Sequence, residues 1–458
     1  MLWRNSDIDA ERVIHTLDDD FELHALHRHA PERYPFLLQS TASESDLGRF
    51  DILFACPGEA LVLNDIGQLE GAAKQRDFLV ALDEKWRTES TCAVDAALPF
   101  TGGWFLYLGY ELAAEIEPRL TAAADPVLPV AFAVRCKAAV VEDRLNGKRY
   151  LVRENDAVLD PDELASDIRE CMQSHSADME SPNDCPDAVE ESPEQFMDAV
   201  VKAKEFIAAG DVYQANLSRG WSASAGENLD SDKIYASLSD ANPAPFAGLA
   251  RWQDATIISS SPERLLAIRD GVISTRPIAG TRPRSDDKVT DDSLSAELLA
   301  HPKEIAEHVM LIDLERNDLG RVCEPGSVEV DEMMVLESYA HVHHIVSNVR
   351  GVLRADVTPG DAIRAVFPGG TITGCPKVRC MEIIHELESG PRGAYTGSFG
   401  YLNRDGSLDL NILIRTMVVR DNTITFRAGS GIVADSDARA ELAETRAKAK
   451  GLLRALST

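Results

Sequence analysis

The sequence contains no CxxC pair. Its eight cysteines are scattered at 56, 92, 136, 171, 185, 323, 375 and 380 of a 458-residue chain. In a chain this long such spacing reads as reduced thiols, not as a disulfide framework. Long apolar runs are also missing; none approaches the ~20 residues needed to cross a bilayer. The opening stretch, MLWRNSDIDAERV, lacks the basic-then-apolar order of a secretory signal. These absences give the expectation of a soluble, cytoplasmic protein. Positive charge is scarce, with 46 Lys and Arg against 76 Asp and Glu, a net charge of −30. That balance argues against nucleic acid and anionic membranes as partners. An anionic ligand would need a local basic pocket. No repeat of solenoid period is present.

What is there points to two or three units of mixed structure. The runs FDILFAC and EALVLN read as strands, and PVAFAVRCKAAVVED and KRYLVREN as a hairpin turning at Asn146-Gly147. Residues 154–193 are acidic and rich in Ser, Pro and Asp. They predict a short helix near Pro161–His175 and then a mobile linker, giving an N-terminal region at 1–153 and a second domain at 194–458. PEQFMDAVVKAKEFIAAG has helical spacing closed by Gly210. Later runs alternate and pair across Asp421-Asn422, and helices are expected at 291–313, 360–366, 376–388 and 437–456. The fold class expected is α+β, with large antiparallel sheets flanked by helices.

Several groups of residues could carry chemistry. Glu304 and Glu307 share one helix face at i, i+3, and Glu441, Glu444 and Lys448 form a stripe on another helix. Carboxylates converging from two helices are how a hard cation such as Mg²⁺ is held. A solvated face with ion pairs is the plain alternative for either stripe. Glu263, in SSSPERLL, follows a strand-like run and would serve as a general acid if buried. Arg415 stands among apolar neighbours in LNILIRTMVV and calls for an anionic partner, either a ligand or a structural acid. The segments FPGGTITGCPK (367–377) and RAGSGIV (427–433) match neither a Walker loop nor GxGxxG, yet their glycines allow backbone to approach an anion. In HVHH, His341, His343 and His344 match no zinc signature; His344 beside a polar substrate is the better reading. TRPIAGTRPR (275–284) reads as a stiff, proline-bounded loop whose arginines pair with acidic helices nearby and whose central side chain, Ala279, is inert.

Taken together, SPERLL, TRPIAGTRPR, EIAEHVMLIDLERNDLGRVC, FPGGTITGCPKVRCMEIIHELE, GAYTGSFGYL, DLNILIRTMVV and AGSGIVADS…AELAETRAKA closely resemble the chorismate-utilising enzymes. The resemblance covers about residues 193–455. It extends more weakly over YPFLLQS, GRFDILFACP and PFTGGWFLYLGYEL. It implies Mg²⁺ as cofactor, with Glu307 and Glu444 as ligands and Glu304 and Glu441 reaching the ion through water. It implies Glu263 as the acid that helps the 4-hydroxyl depart. Arg415, Tyr395, Lys448 and the backbone at Gly429 and Gly431, with Thr373 and Gly374 in the neighbouring loop, would hold the substrate's carboxylates. His344 would lie beside the ring carboxylate, and Thr281 nearby.

The resemblance also narrows the reaction. Relatives that add water carry a lysine base where Gln214 stands here, and glutamine cannot act as that base. Ammonia needs no such base. The chain shows no glutaminase signature, so a separate glutaminase subunit is the implied partner. Two ammonia users remain: component I of aminodeoxychorismate synthase, which the run from Thr373 onward resembles more closely, and component I of anthranilate synthase. Ala279 stands where well-known members of the first group carry lysine. Ser40, Pro243 and Phe246 match the approximate positions of a tryptophan pocket, although Gln39 replaces its usual Glu. A protein of another class, an inactive regulatory subunit binding chorismate or tryptophan, is opposed by the intact set Glu263, Glu307 and Glu444.

Overall fold

The computed structural model describes residues 3–8, 12–18, 20–42, 48–72, 74, 77–92, 98–121, 124–174, 187–225, 229–285, 287–339 and 342–457. Every strand pairing among them is antiparallel. A long ribbon forms the centre: Phe50–Leu63 pairs along its length with Ala131–Asp143. Two arms leave it. One runs through Phe36–Gln39, Phe246–Trp252, Ala255–Ser261, Thr416–Arg420 and Thr423–Ile432 to Gln214–Ser224. The other runs through Gly103–Leu108, Ser398–Asn403, Leu408–Asn411, Arg264–Arg269 and Val272–Arg276 to Val342–Val352. Strands before and after the acidic stretch therefore share both arms.

Alternation along each strand divides the core into layers. In Gly103–Leu108, Phe105 and Tyr107 enter an aromatic cluster with Phe36, Phe54, Phe132 and Phe399. Trp104, Leu106 and Leu108 point the opposite way, into a second cluster. That second cluster is covered by helices Phe78–Glu89, Pro302–Gly320 and Pro359–Val366. The outer face of the first arm forms a third cluster beneath helices Leu23–His29, Pro161–Ser174, Ser231–Ala241 and Ala438–Leu456. The layer order is helix, sheet, sheet, helix, with the aromatic side chains between the sheets.

The hairpin at Asn146-Gly147 forms, with Asp143 opposite Lys148. The hairpin at Asp421-Asn422 forms too, and both turn residues are left-handed, with φ of 48° and 59°. Helix Pro193–Ala209 starts at a Ser192 cap and ends on Gly210 at φ 84°. The expected helix at 291–313 is two helices, Lys288–Ala300 and Pro302–Gly320, because Pro302 starts a new helix after an extended His301. TRPIAGTRPR is mostly strand, not loop: Ile278–Pro283 pairs with Val342–Val352. Most of the linker expected between the short helix and Pro193 lies outside the described residues.

Candidate active site

The last strands of the two arms, with helices Pro302–Gly320 and Ala438–Leu456, enclose most of the residues singled out from the sequence. Gln214 begins its strand and donates from Nε2 to Glu307 Oε1 at 2.9 Å, joining one arm to the helix that covers the other. Gly431 sits against this pair. A Cβ there would fall 2.3 Å from Gln214 Nε2 and 3.4 Å from Glu307 Oε1. At Gly429 a Cβ would fall 2.7 Å from the Tyr395 hydroxyl. The two glycines thus leave a floor that no other residue type would keep open. Lys448 Nζ donates to the Gly429 carbonyl at 3.0 Å and lies 2.8 Å from Glu444 Oε1. Arg415 is held in left-handed backbone at φ 54°. Its guanidinium donates to the Lys448 carbonyl at 2.7 Å. No carboxylate of the described residues pairs with it, and burial lowers its pKa.

Glu263 is buried. Burial, reinforced by the nearby Glu315 carboxylate and opposed by Thr371, the Ile278 N–H and Lys448, pushes its pKa up to about 8. A carboxyl in that range is protonated at neutral pH and available as an acid. Burial also lowers the His344 pKa, to about 4, so the ring is neutral at pH 7. Its Nδ1 lies 2.9 Å from Thr281 Oγ1 and 3.4 Å from the Gly280 carbonyl. A hydrogen on Nδ1 satisfies both oxygens and leaves Nε2 as an acceptor. Ala279, 7% exposed, lies opposite Ile345 in the strand pair.

Other expected residues sit differently. The Thr373 hydroxyl bonds the Gly369 carbonyl of its own loop at 2.8 Å, while Gly374 pairs with Ala215. That loop runs between the cis bonds Phe367–Pro368 and Cys375–Pro376. The four acids expected around a metal do not close into one group; no cluster of three or more His, Cys, Asp or Glu fit to hold a metal occurs among the described residues. Three of the four take donors of the protein: Glu304 lies 3.3 Å from Arg282, Glu307 bonds Gln214, and Glu444, 48% exposed, pairs with Lys448. Glu441 is buried at the start of its helix. His343 is structural, bonded to Ser338 and Asp291, and His341 lies outside the described residues. Of the arginines in TRPIAGTRPR, Arg282 and Arg284 pair with helix acids, and Arg276 pairs with Glu332 and Glu337 on a strand. Phe246 lines a separate cavity of about 490 Å³ with Gln39, Arg269 and Tyr401. Ser40 and Pro243 do not line it, and the Ser40 N–H donates to Asp51 at 2.8 Å.

Sequence reading missed Glu315, a buried carboxyl on helix Pro302–Gly320. Its signal was its place on the apolar face, four residues from both Leu311 and Leu319.

Residues 36–454 match the family of chorismate binding enzymes, and the chain belongs to it. Anthranilate synthase component 1 of Acinetobacter calcoaceticus is 35% identical over 96% of this chain and 93% of its own length. Aminodeoxychorismate synthase component 1 of Bacillus subtilis is 48% identical over 57% of this chain and 55% of its own. Among solved structures, anthranilate synthase component I from Streptococcus pneumoniae superposes with a TM-score of 0.77 at 32% identity, covering 90% of this chain and 93% of that one.

Proposed function

We propose that this chain is component I of aminodeoxychorismate synthase, replacing the 4-hydroxyl of chorismate with an amino group supplied as ammonia by a glutaminase subunit. The observation that carries an ammonia-using reaction is Gln214: the side chain next to Glu307 is an amide, with no base to activate water. Chorismate is a dianion in an acidic protein, so its carboxylates need the local cations Arg415 and Lys448. Arg415 is already oriented by the Lys448 carbonyl, which lowers the ordering cost of binding. Neutral His344 offers Nε2 to a polar group of the ring. The C4–O bond breaks as Glu263 gives its proton to the departing oxygen, which leaves as water. Ammonia forms the new C–N bond and its surplus proton restores the Glu263 carboxyl, so ammonia enters and water leaves. Ala279 provides no amine, so nitrogen addition needs no covalent enzyme adduct.

Mg²⁺ fits the donor chemistry: all four acids offer carboxylate oxygens, the hard ligands this ion takes, and Glu307 and Glu444 flank the glycine floor. Bound there, the ion would neutralise substrate carboxylate charge.

The second reading is component I of anthranilate synthase, favoured by the relative of that name that matches nearly the whole chain. Product analysis separates the two. The protein is incubated with chorismate, Mg²⁺ and ammonium salt, then with a lyase specific for aminodeoxychorismate. 4-Aminobenzoate supports the proposal. Anthranilate formed without the lyase overturns it, and no chorismate consumption overturns both enzyme readings.

A further inference from the structure

Glu315 is a buried carboxyl that the reaction above does not use. Its Oε1 accepts from the Gly370 N–H at 3.3 Å. The next loop residue, Thr371, lies close enough to Glu263 to lower its pKa. The pattern recurs on a second segment: Thr275 acts on Glu315, and the Ile278 N–H, three residues on, acts on Glu263. One loop abuts the segments that carry both carboxyls: a Cβ at Gly369 would fall 3.3 Å from Leu265, two residues after Glu263, and the next residue, Gly370, bonds Glu315. Glu263 Oε1, Glu315 Oε2, Thr275 Oγ1 and Thr371 Oγ1 are all buried, with no hydrogen-bond partner among the described residues.

We propose that Glu315 is a positioning residue for Glu263, the second member of a buried carboxyl pair whose charge keeps the proton on Glu263 until the substrate arrives. The inference rests on the reading of Glu263 as the acid. The surroundings set the order of ionisation. Glu315 is raised by burial and by Asp318 but opposed by Lys377, which is bonded to Asp318. Glu263 is raised by burial and by Glu315, and the cation opposing it is Lys448. Glu315, whose Oε1 already accepts from the Gly370 N–H, carries the charge of the pair and ionises first, and that charge holds the proton on Glu263.

The test is the pH profile of kcat/KM for chorismate in wild type, Glu315→Gln and Glu315→Asp. Activity needs protonated Glu263, so the alkaline limb reports its ionisation. Removing the neighbouring charge in Glu315→Gln should move that limb to lower pH by about one unit. Glu315→Asp should restore most of the shift. A limb that stays in place in folded Glu315→Gln overturns the proposal. Should that variant not fold, the protonated-carboxyl infrared band is titrated in wild type and Glu263→Gln. Wild type should show two steps, and Glu263→Gln should remove the higher and leave the lower, that of Glu315, in place; loss of the lower step instead overturns the pairing. This measurement does not depend on turnover. Loss of the acid reading and loss of the pair are therefore separate outcomes.

Discussion

Helix Pro302–Gly320 carries two kinds of carboxyl. At its start, Glu304 and Glu307 are half-buried and reach the donors Arg282 and Gln214. Two turns further on, Glu315 is buried, accepts from the Gly370 N–H, and has one oxygen with no hydrogen-bond partner among the described residues. The residue type and the helix are the same, yet the two ends lie in different surroundings. What differs is access to water and to positive charge, which decides whether a carboxyl serves as a ligand or as an acid.

The contrast can be broken from either end. The largest effect is expected from Glu263→Gln, which removes the transferable proton. Chorismate turnover should fall by about 10²–10⁴-fold with KM little changed, and wild-type kcat in this variant would refute its role. At the helix start, Glu307→Gln should weaken Mg²⁺ activation by at least about tenfold, a change of roughly 1.4 kcal/mol, measured by titrating activity with the metal. Arg415→Met should raise KM for chorismate by about 10–100-fold, the value of a charge-assisted hydrogen bond or two. Stability sharpens the comparison further. The Glu263 pKa is raised in the fold to about 8, so native protein keeps a proton that the unfolded chain has already lost above its ordinary carboxyl range. Stability from this group therefore declines as pH rises toward 8. Glu263→Gln should remove that decline, gaining roughly 3 kcal/mol at pH 7 by denaturant unfolding. The smallest effect belongs to Arg350→Gln. Its exposed pairs with Glu329 and Asp331 should contribute less than about 0.5 kcal/mol.

Elements whose signal is local were legible in the sequence. Asp421-Asn422 marks its turn because both residues tolerate left-handed backbone, and Ser192 and Gly210 mark the ends of their helix. Glu263 was legible as a candidate because it stands beside a proline just after a strand. TRPIAGTRPR was misread because its prolines suggested a loop. Pro277 lies between strands, and Pro283 is the last residue of its strand. For the four acids the sequence showed a shared helix face but not the donor each finds: Glu304 lies by Arg282, Glu307 bonds Gln214 and Glu444 pairs with Lys448. Glu315 was not legible as a site residue because its contact with Gly370 joins segments more than 50 residues apart.

The pairing of Phe36–Gln39 with Phe246–Trp252, and of Gly103–Leu108 with Ser398–Asn403, has a kinetic consequence. Segments separated by roughly 200 and 300 residues must meet before either arm is whole, and closing such loops costs entropy before any contact rewards it. The cavity beside Phe246 has no walls until the first of these meetings. Until then the newly made chain carries open strand edges, the surface through which slow-folding sheet proteins aggregate.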